Sequence, residues 1–141
     1  MSCRLEHANI TVESVDEGIR FLTTAFPDFK VRGDGRSENG EFKKHWLHVG
    51  NDQTYIALEE ITPKTESGRR AYRDVGFNHV GFVVNDLAEV IQRLQDVGYK
   101  TGDLAEEIDY RQRTYIFDEN GVEWEFVQYL SEEPEKANVY Q

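Results

Sequence analysis

Apolar and polar positions change period in the same order twice along the chain. Residues 5–12 alternate, with Ala8, Ile10 and Val12 on one side and Leu5, His7, Asn9 and Thr11 on the other, which is the two-residue period of a strand. Ser14-Val15-Asp16-Glu17 then reads as a capping box, and Val15, Ile19, Leu22 and Phe26 follow at helical spacing before Pro27. Strands are expected near 29–33, 43–49 and 54–60. Sliding the chain so that His7 falls on His79 also sets Val12, Glu17, Ile19 and Leu22 on Val84, Glu89, Ile91 and Leu94. The second copy places a strand at 78–84, a cap at Asp86 with Glu89 three residues on, and an apolar stripe of Leu87, Val90, Ile91, Leu94 and Val97. Gly98 suits the end of that helix. Strands near 99–104, 111–118 and 122–130 complete the copy, with "DENG" as a hairpin turn.

The order βαβββ therefore occurs twice. The pattern predicts an α+β fold of two βαβββ modules in tandem with pseudo-twofold symmetry, curved mixed sheets enclosing a cleft, and helices outside. One domain is expected over residues 1–141: a first module at 4–60, a linker at 61–76, a second module at 77–130 and a polar tail at 131–141. Each helix can cover one face of its sheet. With Ala8, Ile10 and Val12 facing one helix and Val80, Phe82 and Val84 the other, His7 and His79 fall on the uncovered faces. In "VEWEFVQYL" Trp124 and Phe126 belong to the helix side, so Glu123, Glu125 and Val127 share the opposite face. A carboxylate in mid-strand is costly unless it is paired or bound to a cation. Aligning the first-module strand "TYIALEE" with this one sets Ala57 on Glu125, with Tyr55 and Glu59 on the same face.

Composition narrows the class. A net charge of −11 argues against a nucleic-acid partner. No apolar run approaches the roughly 20 residues of a membrane span, and the N-terminus shows no apolar signal core. With Cys3 as the single cysteine, no internal disulfide forms, and a cytoplasmic protein is expected.

The segments "EHANITV", "NHVGFVV" and "ENGVEWEFVQ", with the doubled βαβββ order, resemble the vicinal-oxygen-chelate superfamily across roughly residues 4–130. That group includes glyoxalase I, extradiol dioxygenases, fosfomycin-resistance enzymes and metal-free bleomycin-resistance proteins. The resemblance implies metal ligands on the first and last strands of each module: His7, His79 and Glu125, with Ala57 at the fourth position. Two imidazoles and one carboxylate suit one divalent ion, Fe(II), Mn(II), Zn(II) or Ni(II), and leave coordination positions open. It further implies a lyase or dioxygenase acting on a small molecule that chelates through adjacent oxygens, and a homodimer. Modules lie within one chain or are exchanged between chains. A metal-free protein that sequesters a small molecule is the alternative, with Trp46, Tyr55 and Tyr115 as its aromatic lining.

Placement nominates Glu59, Glu123 and His48 for proton transfer, and Tyr55 and Arg113 for substrate contact. Glu59, two residues on from Ala57 on the same face, is also the replacement ligand if the register slips or the strand bulges. His45 lies on the strand face opposite His48. Arg69, Arg70 and Arg73 form a basic cluster in the linker.

Overall fold

In a computed structural model, residues 3–102 and 105–139 are described, with the side chains of 105–108 excluded. The first unit runs β1 (His7–Thr11), α1 (Val15–Ala25), β2 (Lys30–Glu38), β3 (Lys43–Gly50) and β4 (Tyr55–Thr62). The second runs β5 (His79–Val83), α2 (Leu87–Asp96), β6 (Ala105–Ile108), β7 (Arg111–Phe117) and β8 (Glu123–Tyr129). A short 3-10 turn follows at Pro134–Asn138. The chain separates into two compact units at Arg69/Arg70. Each holds a four-stranded mixed sheet, ordered β1-β4-β3-β2 and β5-β8-β7-β6, in which the outer first strand runs parallel to its neighbour. The fold is α+β, with the two βαβββ modules in tandem.

Local chemistry starts both helices alike. Ser14 accepts from the Glu17 amide at 3.3 Å, and Asp86 accepts from the Glu89 amide at 3.0 Å. These caps satisfy amides that have no partner inside the helix. The last strand supplies a second acceptor in each unit. Glu60 takes the Val15 amide at 3.0 Å and Gln128 takes the Leu87 amide at 2.8 Å. Each helix is thereby pinned to the strand beneath it.

The first core is Val15, Phe21, Leu22, Ala25, Leu47, Val49, Ile56 and Leu58. Gly18 sits on the buried side of α1, where an added Cβ would lie 2.5 Å from Leu58 Cδ1. A larger residue there would require the Leu58 side chain to shift. The second core is Leu87, Val90, Leu94, Ile116, Trp124 and Phe126.

Three details differ from the sequence reading. The second strand extends to Glu38 rather than stopping near 33, because "GDGRSE" pairs with β3 in a hairpin without burying apolar side chains. Val97 is exposed beyond the end of α2 instead of completing its stripe. The strand expected over 99–104 lies at Ala105–Ile108, while residues 103–104 fall outside the described set. Tyr99 instead closes the helix end, its amide bonded to the Leu94 carbonyl at 3.0 Å and its side chain buried. No helix among the described residues is long and apolar enough to cross a membrane.

Candidate metal centre

The strand register of the second unit gathers its polar residues on the sheet face away from α2. In β5 and β8, His79 pairs with Glu123 and Gly81 with Glu125; in β7, Tyr115 pairs with Glu125 and Arg113 with Val127. His79 Nε2 lies 3.1 Å from Glu125 Oε2. The other carboxylate oxygen, Oε1, accepts from the Tyr115 hydroxyl at 3.0 Å, with the Arg113 guanidinium 3.9 Å away. Glu125 is thus held from one side and faces His79 with the other. Room for this comes from Gly81, where a Cβ would stand 3.3 Å from Glu125 Oε2.

The other imidazole nitrogen meets a residue from the inter-sheet segment. The Tyr72 hydroxyl lies 2.9 Å from His79 Nδ1 and donates a hydrogen bond to Glu123 Oε2. That bond to the Glu123 carboxylate, followed by burial, pushes the Tyr72 phenol up to about 12. Burial, then the bond to Glu125, raises Tyr115 as well. Both hydroxyls therefore stay protonated donors at neutral pH. Nothing in the periodicity of "RRAYRDVG" distinguished Tyr72, since it lies outside both repeats.

The first unit places its nominated residues on the corresponding face of its own sheet. His7 is exposed on β1, with Nδ1 3.0 Å from Glu6 Oε2. The Tyr55 ring stacks between His7 and His48, at centroid distances of 4.7 Å and 4.6 Å, with Arg32 4.5 Å from its centre. Trp46 continues the array at 5.1 Å from His48. Ala57 pairs with Asn9 and His48 in an unbroken register, and its side chain is buried at 3% exposure. Glu59 engages Lys44 Nζ at 3.3 Å and Asn9 Nδ2 at 3.4 Å. His45 is on the opposite face, near Asp34 at 3.9 Å. Arg70 in the linker is tied to Asp74 at 3.0 Å, and Arg111 turns to the carbonyls of Ala137 and Val139.

A polar hollow of about 300 Å³ lies elsewhere, against Arg36, Lys43, His45 and Glu60. Among the described residues, no three His, Cys, Asp or Glu side chains form a complete ligand set. The second unit contributes a convergent pair, His79 and Glu125.

The family model described as glyoxalase/bleomycin resistance protein/dioxygenase superfamily matches residues 6–117. The chain belongs to this superfamily. Its fold is similar to that of a glyoxalase family protein from Bacillus cereus at 22% identity, covering 91% of this chain and 95% of that one with a TM-score of 0.75. It is also similar to a glyoxylase/bleomycin resistance protein/dioxygenase domain from Frankia at 19% identity, covering 92% and 99% with a TM-score of 0.73. A variant of the fosfomycin resistance protein FosX from Listeria monocytogenes, complexed with Mn(II) and 1S,2S-dihydroxypropylphosphonic acid, is 14% identical, covers all of both chains and has a TM-score of 0.63. No curated protein matches by sequence. At these identities the structural likenesses establish fold alone.

Proposed function

We propose that this superfamily member is a metal-dependent enzyme, of lyase or dioxygenase type, acting on a small molecule that offers adjacent oxygens to a divalent ion. His7, His79 and Glu125 are the proposed protein ligands. The observation that carries the reading is the 3.1 Å approach of His79 Nε2 to Glu125 Oε2. Donor atoms bound at right angles to one ion at about 2.1 Å lie roughly 3 Å apart, so the pair fits the group in both chemistry and spacing. His7 joins as the equivalent residue of the first module.

The ion, Fe(II), Mn(II), Zn(II) or Ni(II), supplies Lewis acidity toward an oxyanion. The chain's own residues do the remaining work. Tyr115 and Arg113 orient Glu125, and Arg113 also offers its charge to an anionic substrate group. Among the proton-transfer candidates, Glu59 and Glu123 are engaged by Lys44 and Tyr72. The His48 side chain has no hydrogen bond among the described residues and is the favoured acid–base group. Tyr55 is proposed to contact substrate through its ring. The FosX variant is complexed with Mn(II) and 1S,2S-dihydroxypropylphosphonic acid, and a vicinal diol is the kind of ligand envisaged. A homodimer is the proposed assembly.

The test is a screen of protein loaded with each metal against 2-oxoaldehyde–thiol adducts, catechols and epoxides, with chelator-treated protein as control. Metal-restored turnover of one class supports the proposal. The aromatic array of Trp46, His48 and Tyr55 favours a second reading, metal-free sequestration of a planar molecule. In that case ligand binding persists in chelator and no turnover appears.

A further inference from the structure

Tyr72 lies outside both βαβββ repeats, yet its hydroxyl bridges two residues on the polar face of the second sheet. Its backbone is left-handed, with φ of 62°. Bulky side chains rarely adopt that conformation unless their surroundings impose it. Asn78 fixes the backbone by accepting the Tyr72 amide at 2.8 Å. The residue remains 59% exposed, so burial alone does not account for its placement. The hydroxyl contacts to His79 Nδ1 and Glu123 Oε2 give the placement a purpose.

With the ring neutral and the Tyr72 hydroxyl donating to Glu123, the contacts select one tautomer of His79. An ionised Glu123 carboxylate can only accept, so it takes the single Tyr72 hydroxyl proton. The Tyr72 oxygen then offers Nδ1 only lone pairs, and Nδ1 must carry a hydrogen. In the neutral ring, Nε2 is left unprotonated, 3.1 Å from Glu125 Oε2. Two acceptors facing each other at that distance repel, and a cation between them relieves the repulsion.

We propose that Tyr72 is a positioning residue that holds His79 as the Nδ1–H tautomer and presents the Nε2 lone pair to the ion, a role that rests on the metal-enzyme reading above. Partners of this kind set ring orientation and ligand basicity in metal sites. Tyr72 touches neither ion nor substrate in this role; it acts through His79.

Imidazole nitrogen-15 NMR on metal-free protein tests the assignment, at an alkaline pH where the spectrum itself shows a single ring proton on His79. Wild type should show His79 protonated at Nδ1. Tyr72→Phe keeps the ring but removes the hydroxyl, and should shift His79 toward Nε2–H, which then donates to Glu125. Glu123→Gln retains an acceptor for the Tyr72 hydroxyl and should preserve the wild-type tautomer. Glu123→Leu removes the acceptor, lets Tyr72 donate to Nδ1 and should also produce Nε2–H. Mn(II) titration should show about 10- to 100-fold weaker binding by Tyr72→Phe. A merely structural tyrosine would change stability without this tautomer pattern. Nε2–H in wild type, or an unchanged spectrum in Tyr72→Phe, overturns the proposal. An Nδ1–H wild type that takes up no Mn(II) overturns the metal reading and leaves the tautomer assignment standing.

Discussion

His79 and Glu125 face each other across β5 and β8 with 3.1 Å between ring nitrogen and carboxylate oxygen. Their separation depends on Gly81, whose missing side chain leaves room for Glu125 Oε2. Gly81→Ala should press on that oxygen from 3.3 Å while sparing the backbone, which an alanine suits at least as well in a strand. Thermal stability should change by less than about 1 kcal/mol. Mn(II) affinity should fall about tenfold, equivalent to about 1.4 kcal/mol. Thermal melts and calorimetric titration read the two effects separately, and unchanged affinity would show that the carboxylate tolerates the crowding.

Ala57 occupies the fourth position implied by the superfamily pattern and is buried between Asn9 and His48. Ala57→Glu places a carboxylate in that surrounding. Without a cation it should lower stability by about 2–4 kcal/mol. If this position faces the ion, saturating Mn(II) should raise the variant's melting temperature by more than it raises that of wild type. Equal shifts would place residue 57 away from the ion.

Alkaline titration distinguishes Tyr72 from ordinary tyrosines. Its bond to Glu123 keeps it protonated up to about 12, against about 10 for a tyrosine in the unfolded chain. The folded pKa is the higher one, so this contribution to stability is complete below about pH 10 and is lost as pH rises through about 12. In metal-free protein, tyrosinate absorbance should show Tyr72 and Tyr115 ionising later than ordinary exposed tyrosines. Tyr72→Phe should remove the component near pH 12.

Asp118 anchors the hairpin before β8. Its two oxygens accept from Trp124 Nε1 at 3.1 Å and from the Val122 amide at 2.9 Å, and both Asp118 and Trp124 are buried. Asp118→Ala removes the acceptor of the buried Trp124 Nε1 and of the half-buried Val122 amide, and should cost about 2–4 kcal/mol in chemical denaturation. Asp118→Asn retains one acceptor and should cost less. Equal stability of both variants and wild type would refute this account of the turn.

The repeated elements were legible because their signals are local: Ser14 and Asp86 cap where expected, and the strand alternation puts His79, Glu123 and Glu125 on one sheet face. Edge strands were less legible. Strand β2 pairs with β3 alone and carries few apolar residues, while Tyr99 packs against the helix end where a strand was expected. The role of Tyr72 had no sequence signal, since it depends on a left-handed backbone and a hydroxyl reaching residues 7 and 51 positions away.

The most direct measurement is metal content by mass spectrometry after loading with Mn(II), Fe(II), Ni(II) and Zn(II) and removing excess. Wild type should retain about one ion per chain, and less on acidification, because protons compete for both imidazoles. His7→Ala, His79→Ala and Glu125→Ala should each lose most of it while keeping the wild-type circular dichroism spectrum. Wild type that retains none of the four metals, or single variants that retain as much as wild type, would contradict a metal centre built from these residues.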